Sequence, residues 1–391
     1  MFLNFKPRSI LLCPGPVIIS KRVAKAVAKS NIGHREAEFS QLLAEMIAMV
    51  KPVVGLEATD KSYEVAFITG SGTAANETIL SSLSSLGRTL VISNGEFGER
   101  LYDVTRLHTS KVDHLSFGWQ QPINLDLVDD ALSRHDYSLV AMVHHETSTG
   151  MLNPVAEVAA LAHKYGALIS VDAVSSIGAE AIEVKSWGVD ALSGASGKAL
   201  SAMPGVGILV LSKEVLARLD ASTRSVHYLD LHKHFHYMRE LAQTPNTPAV
   251  HVFVSLHAAL TEIHRIGLTR FRERIAARAA YVRRVLPQLG LHHAVYGPQT
   301  SRVITCVSLP PYMTFDRLTA HLKRRGIVIY NGKGPLKDKI FQIGHIGALK
   351  RRDTRLAIKL IKRLIDDIHE HELAHIPEPA ADDQRQVTVR R

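Results

Sequence analysis

The sequence predicts an α/β protein, with a mostly parallel sheet covered by helices on both faces and a smaller α+β unit after it. Three observations predict this. Between residues 62 and 212, short β-branched or aliphatic runs alternate with amphipathic stretches. Those runs are apolar at nearly every position, the pattern of strands buried on both faces. At 391 residues the chain also exceeds what one hydrophobic core usually serves.

Taken in order, strands are expected at 64–69, 89–93, 139–144, 167–172, 190–193 and 206–211, each bounded by turn residues. Amphipathic helices are expected between them, for example at 125–135 and 153–165. One long helical connector is expected over 249–286. Beyond it come strands at 302–309, 327–330 and 339–343 and helices at 314–325 and 350–372. The stretch 376–391 is charged, contains proline and has no period, so it reads as a disordered tail. The expected organisation is an N-terminal segment (1–25) packed with the small domain, a large domain (26–255), a small C-terminal domain (256–375) and that tail.

Bulk composition narrows the class. No apolar run approaches the ~20 residues of a membrane-spanning helix. The start of the chain has no long apolar segment with a small-residue cleavage site, which reads as a cytoplasmic N-terminus. Cys13 and Cys306 lack the spacing of zinc ligands and read as buried thiols, so neither metal nor disulfide is expected. The net charge of +10 has two concentrations. One is Arg272, Arg274, Arg278, Arg283 and Arg284; the other is Lys350, Arg351 and Arg352 with Lys359, Lys362 and Arg363. Neither is interleaved with aromatics and no nucleic-acid motif is present, so no nucleic-acid partner is expected. Solvated helix faces or recruitment of small anions account for the charge.

Three short segments carry chemistry. Thr69-Gly70-Ser71-Gly72-Thr73 ends an apolar run and opens a helix. Small residues let a backbone approach closely, and free amides at a helix N-terminus attract phosphate. Asp172 directly follows a buried strand, where it is a helix cap or an acid facing the crevice at the strand ends. Lys198 sits among small residues in Ser196-Gly197-Lys198-Ala199, just past another strand. Desolvation there lowers a lysine's pKa and suits Schiff-base chemistry. In this order, phosphate cradle, ring-nitrogen acid and amine point to pyridoxal 5'-phosphate.

At these segments the chain resembles the class V aminotransferases of pyridoxal-phosphate fold type I. Within them it is similar to the 2-aminoethylphosphonate–pyruvate and alanine–glyoxylate aminotransferases. The resemblance rests on LLCPGPVIIS (11–20), GHREAEFSQLL (33–43), FITGSGTAANE (67–77), NGEFGERL (94–101), MVHHETSTGMLNPV (142–155), SVDAVSSIG (170–178), GKALSAMPGVG (197–207) and GKGPLKDKIFQIGHIGAL (332–349). It implies a seven-stranded-type sheet, a homodimer with sites at the interface, and amine and 2-oxo acid substrates. It also implies roles by position. Lys198 is the Schiff-base lysine and Asp172 the acid at the pyridine nitrogen. Ser71, Gly72 and Thr73 bind phosphate. Phe97 stacks on the ring, Thr147 lies near its phenolic oxygen, and Thr247 reaches a phosphate across the dimer. Gly15, Arg35, Lys333 and Gln342 are implied at the substrate.

Two positions depart from the family pattern. Gln342 stands where an arginine usually grips the substrate carboxylate, and an amide cannot form that bidentate pair. Gly197 replaces the usual Asn or Gln before the lysine. Another cation (Arg35, Lys333 or His345) is therefore expected to grip the anion, unless the substrate lacks an α-carboxylate or the reaction differs. Three functional readings follow: transamination; another pyridoxal-phosphate reaction such as a lyase, decarboxylase or carbon–carbon bond-forming step; and a non-enzymatic basic binding protein.

Overall fold

The computed structural model describes residues 9–219, 226–295, 297 and 299–373. Fourteen strands are named in chain order: β1 (Ile10–Leu11), β2 (Tyr63–Thr69), β3 (Arg88–Ser93), β4 (Val112–Ser116), β5 (Tyr137–Val143), β6 (His145–Glu146), β7 (Met151–Leu152), β8 (Leu168–Asp172), β9 (Ala191–Ala195), β10 (Val206–Ser212), β11 (Ile304–Ser308), β12 (Ile327–Val328), β13 (Tyr330–Asn331) and β14 (Ile340–Gly344).

A seven-stranded sheet runs β2-β10-β9-β8-β5-β3-β4. Only β10 is antiparallel to its neighbours; the rest of the sheet is parallel. β8 and β9 are buried at every residue, because helices cover both faces. The six strands read from the sequence are all present in this sheet. The seventh, β4, was not expected. It is an edge strand with a half-exposed polar sequence, held by Asp113, which bonds Arg88 at 2.7 Å and the Tyr137 hydroxyl at 2.7 Å. Edge strands need no apolar run, so hydrophobicity did not mark it.

The expected single helix over 249–286 is two helices, Val250–Ile266 and Leu268–Val285. Gly267 between them has φ +87°, a left-handed conformation that cannot continue a helix. The run at 327–330 likewise divides: β12 pairs in parallel with β1, and β13 pairs with β14 in the sheet β11-β14-β13. A second core, including Leu12, Val282, Phe341 and Ile361, lies apart from the large one beneath the seven-stranded sheet. The tail expected at 376–391 lies outside the described residues.

Candidate active site

The site forms where the carboxyl ends of β2, β8 and β9 meet, the usual position for ligands in open α/β sheets. β2 ends at Thr69 and passes through Gly70 and Ser71 into helix Gly72–Leu83. Ser71 is the N-cap, yet its hydroxyl makes no capping bond, so it and the first-turn amides stay available to an anion. Gly72 is required by packing. A Cβ there would lie 2.5 Å from both methyls of Val174, which presses this turn onto the loop after β8. Thr73 is exposed beside it.

Asp172 ends β8 and is 7% exposed. One carboxylate oxygen accepts from the Val174 amide at 2.8 Å, the other from Asn76 Nδ2 at 2.6 Å. The Ser193 hydroxyl bonds the Asn76 carbonyl and so orients that amide. Burial pushes the Asp172 carboxyl above its ordinary range, against those two donors and the charges of Lys198 and Arg100.

Lys198 lies in the loop from β9 to β10. The loop is closed by Ser196, whose hydroxyl donates to Met203 O at 2.7 Å, and by the Ser201 amide on Lys198 O at 3.0 Å. Burial first, and then the charge of Lys333, push the Lys198 amine below the ordinary lysine range. No carboxylate lies within salt-bridge distance of it among the described residues. Gly15 approaches from the N-terminal segment; a Cβ there would sit 2.7 Å from Lys198 Cδ and 2.8 Å from Nζ.

Opposite these groups, helix Glu96–His108 presents Phe97. Lys333 Nζ and Arg100 Cζ lie 4.9 and 4.8 Å from the centre of its ring. The helix start is anchored by Glu146, a fully buried carboxylate. It accepts from the Phe97 and Gly98 amides at 3.0 Å each, and from the Ser148 amide and hydroxyl at 3.1 and 2.5 Å. Burial still pushes it up to about 7. His145 bonds Ser175 through Nδ1 at 2.9 Å, and its buried Nε2 has no partner.

A free helix N-terminus, a buried acid and a half-buried amine with no carboxylate partner among the described residues are the groups that hold the phosphate, ring nitrogen and aldehyde of pyridoxal 5'-phosphate, so the residues fit that cofactor. The family model described as Aminotransferase class-V matches residues 20–337. The chain belongs to the class V aminotransferases. A protein named 2-aminoethylphosphonate–pyruvate transaminase from Burkholderia thailandensis is 33% identical over 357 residues, covering 90% of this chain and 95% of that protein. A protein named soluble hydrogenase, small subunit, from Synechococcus sp. (strain PCC 6716) is 31% identical over 369 residues, covering 92% and 94%. Among solved structures, the aspartate aminotransferase of subgroup IV from Thermus thermophilus superposes with a TM-score of 0.83 at 27% identity, covering 92% of this chain and 99% of that one. The fold is therefore type I, and this aminotransferase is a pyridoxal-phosphate-dependent transferase.

The two departures have structural reasons in this aminotransferase. A Cβ at Gly197 would lie 2.6 Å from both Cα and Cβ of Pro204, so an Asn or Gln before Lys198 would have to displace Pro204. Gln342 is 2% exposed in the middle of β14. Its Nε2 donates to Thr147 O at 2.9 Å and Ser148 O at 3.3 Å, tying the small sheet to the turn that carries Thr147. Of the alternative cations, His345 is fully buried, bonds Thr305 through Nε2 at 2.8 Å, and is held well below the ordinary imidazole range by that burial. It is thus a neutral core residue, and the expectation that it grips an anion is corrected. Arg35 makes no ion pair with Glu36 or Glu38; it bonds Gln243 Oε1 at 2.8 Å and Thr244 O at 2.9 Å. That places it beside the segment of Thr247, which is exposed. Lys333 alone of the three cations borders Lys198 and Phe97. Asn76 and Glu146 were missed. Each acts on a partner 96 or 48 residues away, and only their presence in the FITGSGTAANE and HHETSTG segments marked them.

Proposed function

We propose that this aminotransferase moves the amino group of a small amine, 2-aminoethylphosphonate or one like it, to a 2-oxo acid such as pyruvate. The name of the Burkholderia relative supports the substrate class. The observation that carries it is the charge around Lys198: Lys333 and Arg100 flank Phe97 and share one carboxylate, Glu96, at 3.8 and 2.9 Å, which leaves a net positive charge there, while position 342 holds an amide bonded to backbone carbonyls. A phosphonate is recognised by cations of both kinds, Lys333 as a point charge and Arg100 as a planar fork, without an arginine at position 342.

When bound, pyridoxal phosphate supplies an aldehyde that captures the amine and a ring that takes up negative charge. Lys198 Nζ, held below the ordinary lysine range, is a neutral amine more often than a surface lysine and moves the proton at the substrate carbon next to nitrogen. Asp172, at the end of β8, would keep the ring nitrogen protonated. Ser71, Gly72 and Thr73 would hold the phosphate, Phe97 would pack on the ring and Thr147 would add a hydroxyl. In a homodimer, the exposed Thr247 and the Arg35 joined to its segment reach the second protomer's site. Gly15 and Lys333 line the substrate's side.

The test is the half-reaction. 2-Aminoethylphosphonate alone should convert the bound cofactor to pyridoxamine phosphate, and pyruvate should restore it. Lys333→Gln should raise KM for the phosphonate about tenfold or more, as expected for one lost charge-assisted contact. Conversion by other amines but not by this one would refute the phosphonate reading. No pyridoxamine phosphate with any amine would favour a different reaction on the same scaffold, the reading the uncharged Gln342 motivates.

A further inference from the structure

The two basic clusters of the sequence meet in the fold. Part of the first is consumed structurally: Arg272 bonds Val53 O at 3.0 Å, and Arg283 bonds Ile304 O at 3.0 Å and the Thr305 hydroxyl at 3.2 Å. Arg274, Ala277, Arg278 and Tyr281 follow i, i+3, i+4, i+7 spacing and share one face of helix Leu268–Val285. Arg351, Thr354 and Arg355 follow i, i+3, i+4 spacing on helix Arg351–Leu373. The two faces line one cavity of about 210 Å³.

Helices that pack usually meet through apolar faces. Here four arginines line the gap, Arg278 half-buried and Arg274, Arg351 and Arg355 exposed at its rim with Arg355 Cζ 5.9 Å from the Tyr281 ring, and none has a carboxylate within 4.0 Å among the described residues. Among the described residues Arg278 donates to the carbonyls of His345 at 2.7 Å and Leu349 at 3.4 Å. Burial and the charge of Arg274 push it down to about 10. The cavity lies at the positive end of the 23-residue helix. Thr354, in its first turn, is 2% exposed and its hydroxyl has no hydrogen-bond partner among the described residues. The nearby carboxylates are engaged elsewhere: Asp353 accepts the Lys350 amide at 2.8 Å and lies 3.9 Å from Arg352, and Glu262, in an adjoining cleft, accepts the Ser20 hydroxyl at 2.6 Å.

We propose that this cavity is a binding site for a compact phosphate-bearing anion of the pyrophosphate kind, separate from the cofactor site. Its size is below the roughly 300–1,000 Å³ of pockets for drug-sized ligands, which selects a small ligand. Guanidinium groups match phosphate oxygens in geometry as well as charge. The cavity shares no lining residue with the residues around Lys198.

Pyrophosphate titrated by calorimetry into the full-length holoenzyme tests this, because bound cofactor already fills the cradle at Ser71. Saturable binding at one per chain is expected. Arg274→Gln and Arg355→Gln should each weaken it about tenfold or more, the loss expected for one charge-assisted contact. Lys333→Gln should leave pyrophosphate binding unchanged, and the visible band of the bound cofactor should stay the same in both arginine variants, showing that they fold. Absence of saturable binding, binding that survives both arginine variants, or binding lost in Lys333→Gln would overturn the proposal.

Discussion

The histidines of the β5–β6 corner make an acid-sensitive core with a calculable size. His144 and His145 are buried side by side; burial holds them down to about 4 and about 3, against an ordinary 6.5. A histidine whose folded pKa is depressed stabilises the fold above pH 6.5, and that stability is lost as pH falls towards the folded value. At pH 5 the unfolded imidazole is protonated and the folded one is not, so each costs about 2 kcal/mol relative to pH 7. Glu146 acts in the opposite sense. Its folded pKa, pushed up to about 7 from 4.5, favours the fold as pH falls through that window. It returns about 2 kcal/mol over the same two pH units. Urea unfolding at pH 7 and pH 5 separates the two. His145→Gln should reduce the acid loss by about 2 kcal/mol, and Glu146→Gln should increase it by about as much. A His145→Gln enzyme with the same pH dependence as the parent would show that the imidazole is not the buried neutral group described.

Two steric predictions follow from the cofactor loop. Gly15→Ala places a methyl 2.7 Å from Lys198 Cδ at a φ of +145° and should lower kcat about 100-fold, the cost of misplacing a reacting group by ~1 Å; steady-state rates within twofold of the parent would refute the contact. Gly197→Asn, which restores the family's usual residue, should destabilise the protein by about 1–3 kcal/mol because Pro204 backbone blocks it. A melting temperature equal to the parent's would show that the loop can yield.

Much of the site was readable because it is written locally. Ser71, Gly72 and Thr73 are neighbours in one turn, and Asp172 and Lys198 each follow a strand that an apolar run announces. A parallel sheet brings all its strand ends to one edge, so reading the strands was enough to bring those groups together. The positions misjudged were those whose meaning depends on a distant partner. His345 looked like a candidate cation until its ring was found buried against Thr305. Gln342 lacks the family's charge as the sequence says, but only the fold shows what its amide bonds instead, the carbonyls of Thr147 and Ser148. β4 escaped because an edge strand can be polar, and Gly267 because one glycine inside a helical pattern is no certain break.

The sequence by itself determined six of the seven strands of the large sheet and the turns that follow them, since apolar period and turn chemistry act over a few residues. Only the tertiary structure decided which charges are free. Whether an arginine or histidine is solvated, paired or buried neutral depends on what other segments place within about 4 Å of it, the range over which protein charges are strongly coupled. That is why Lys333 stands at the site, 3.8 Å from Glu96 and beside Phe97, why His345 leaves it, and why two arginine runs about 70 residues apart face one cavity.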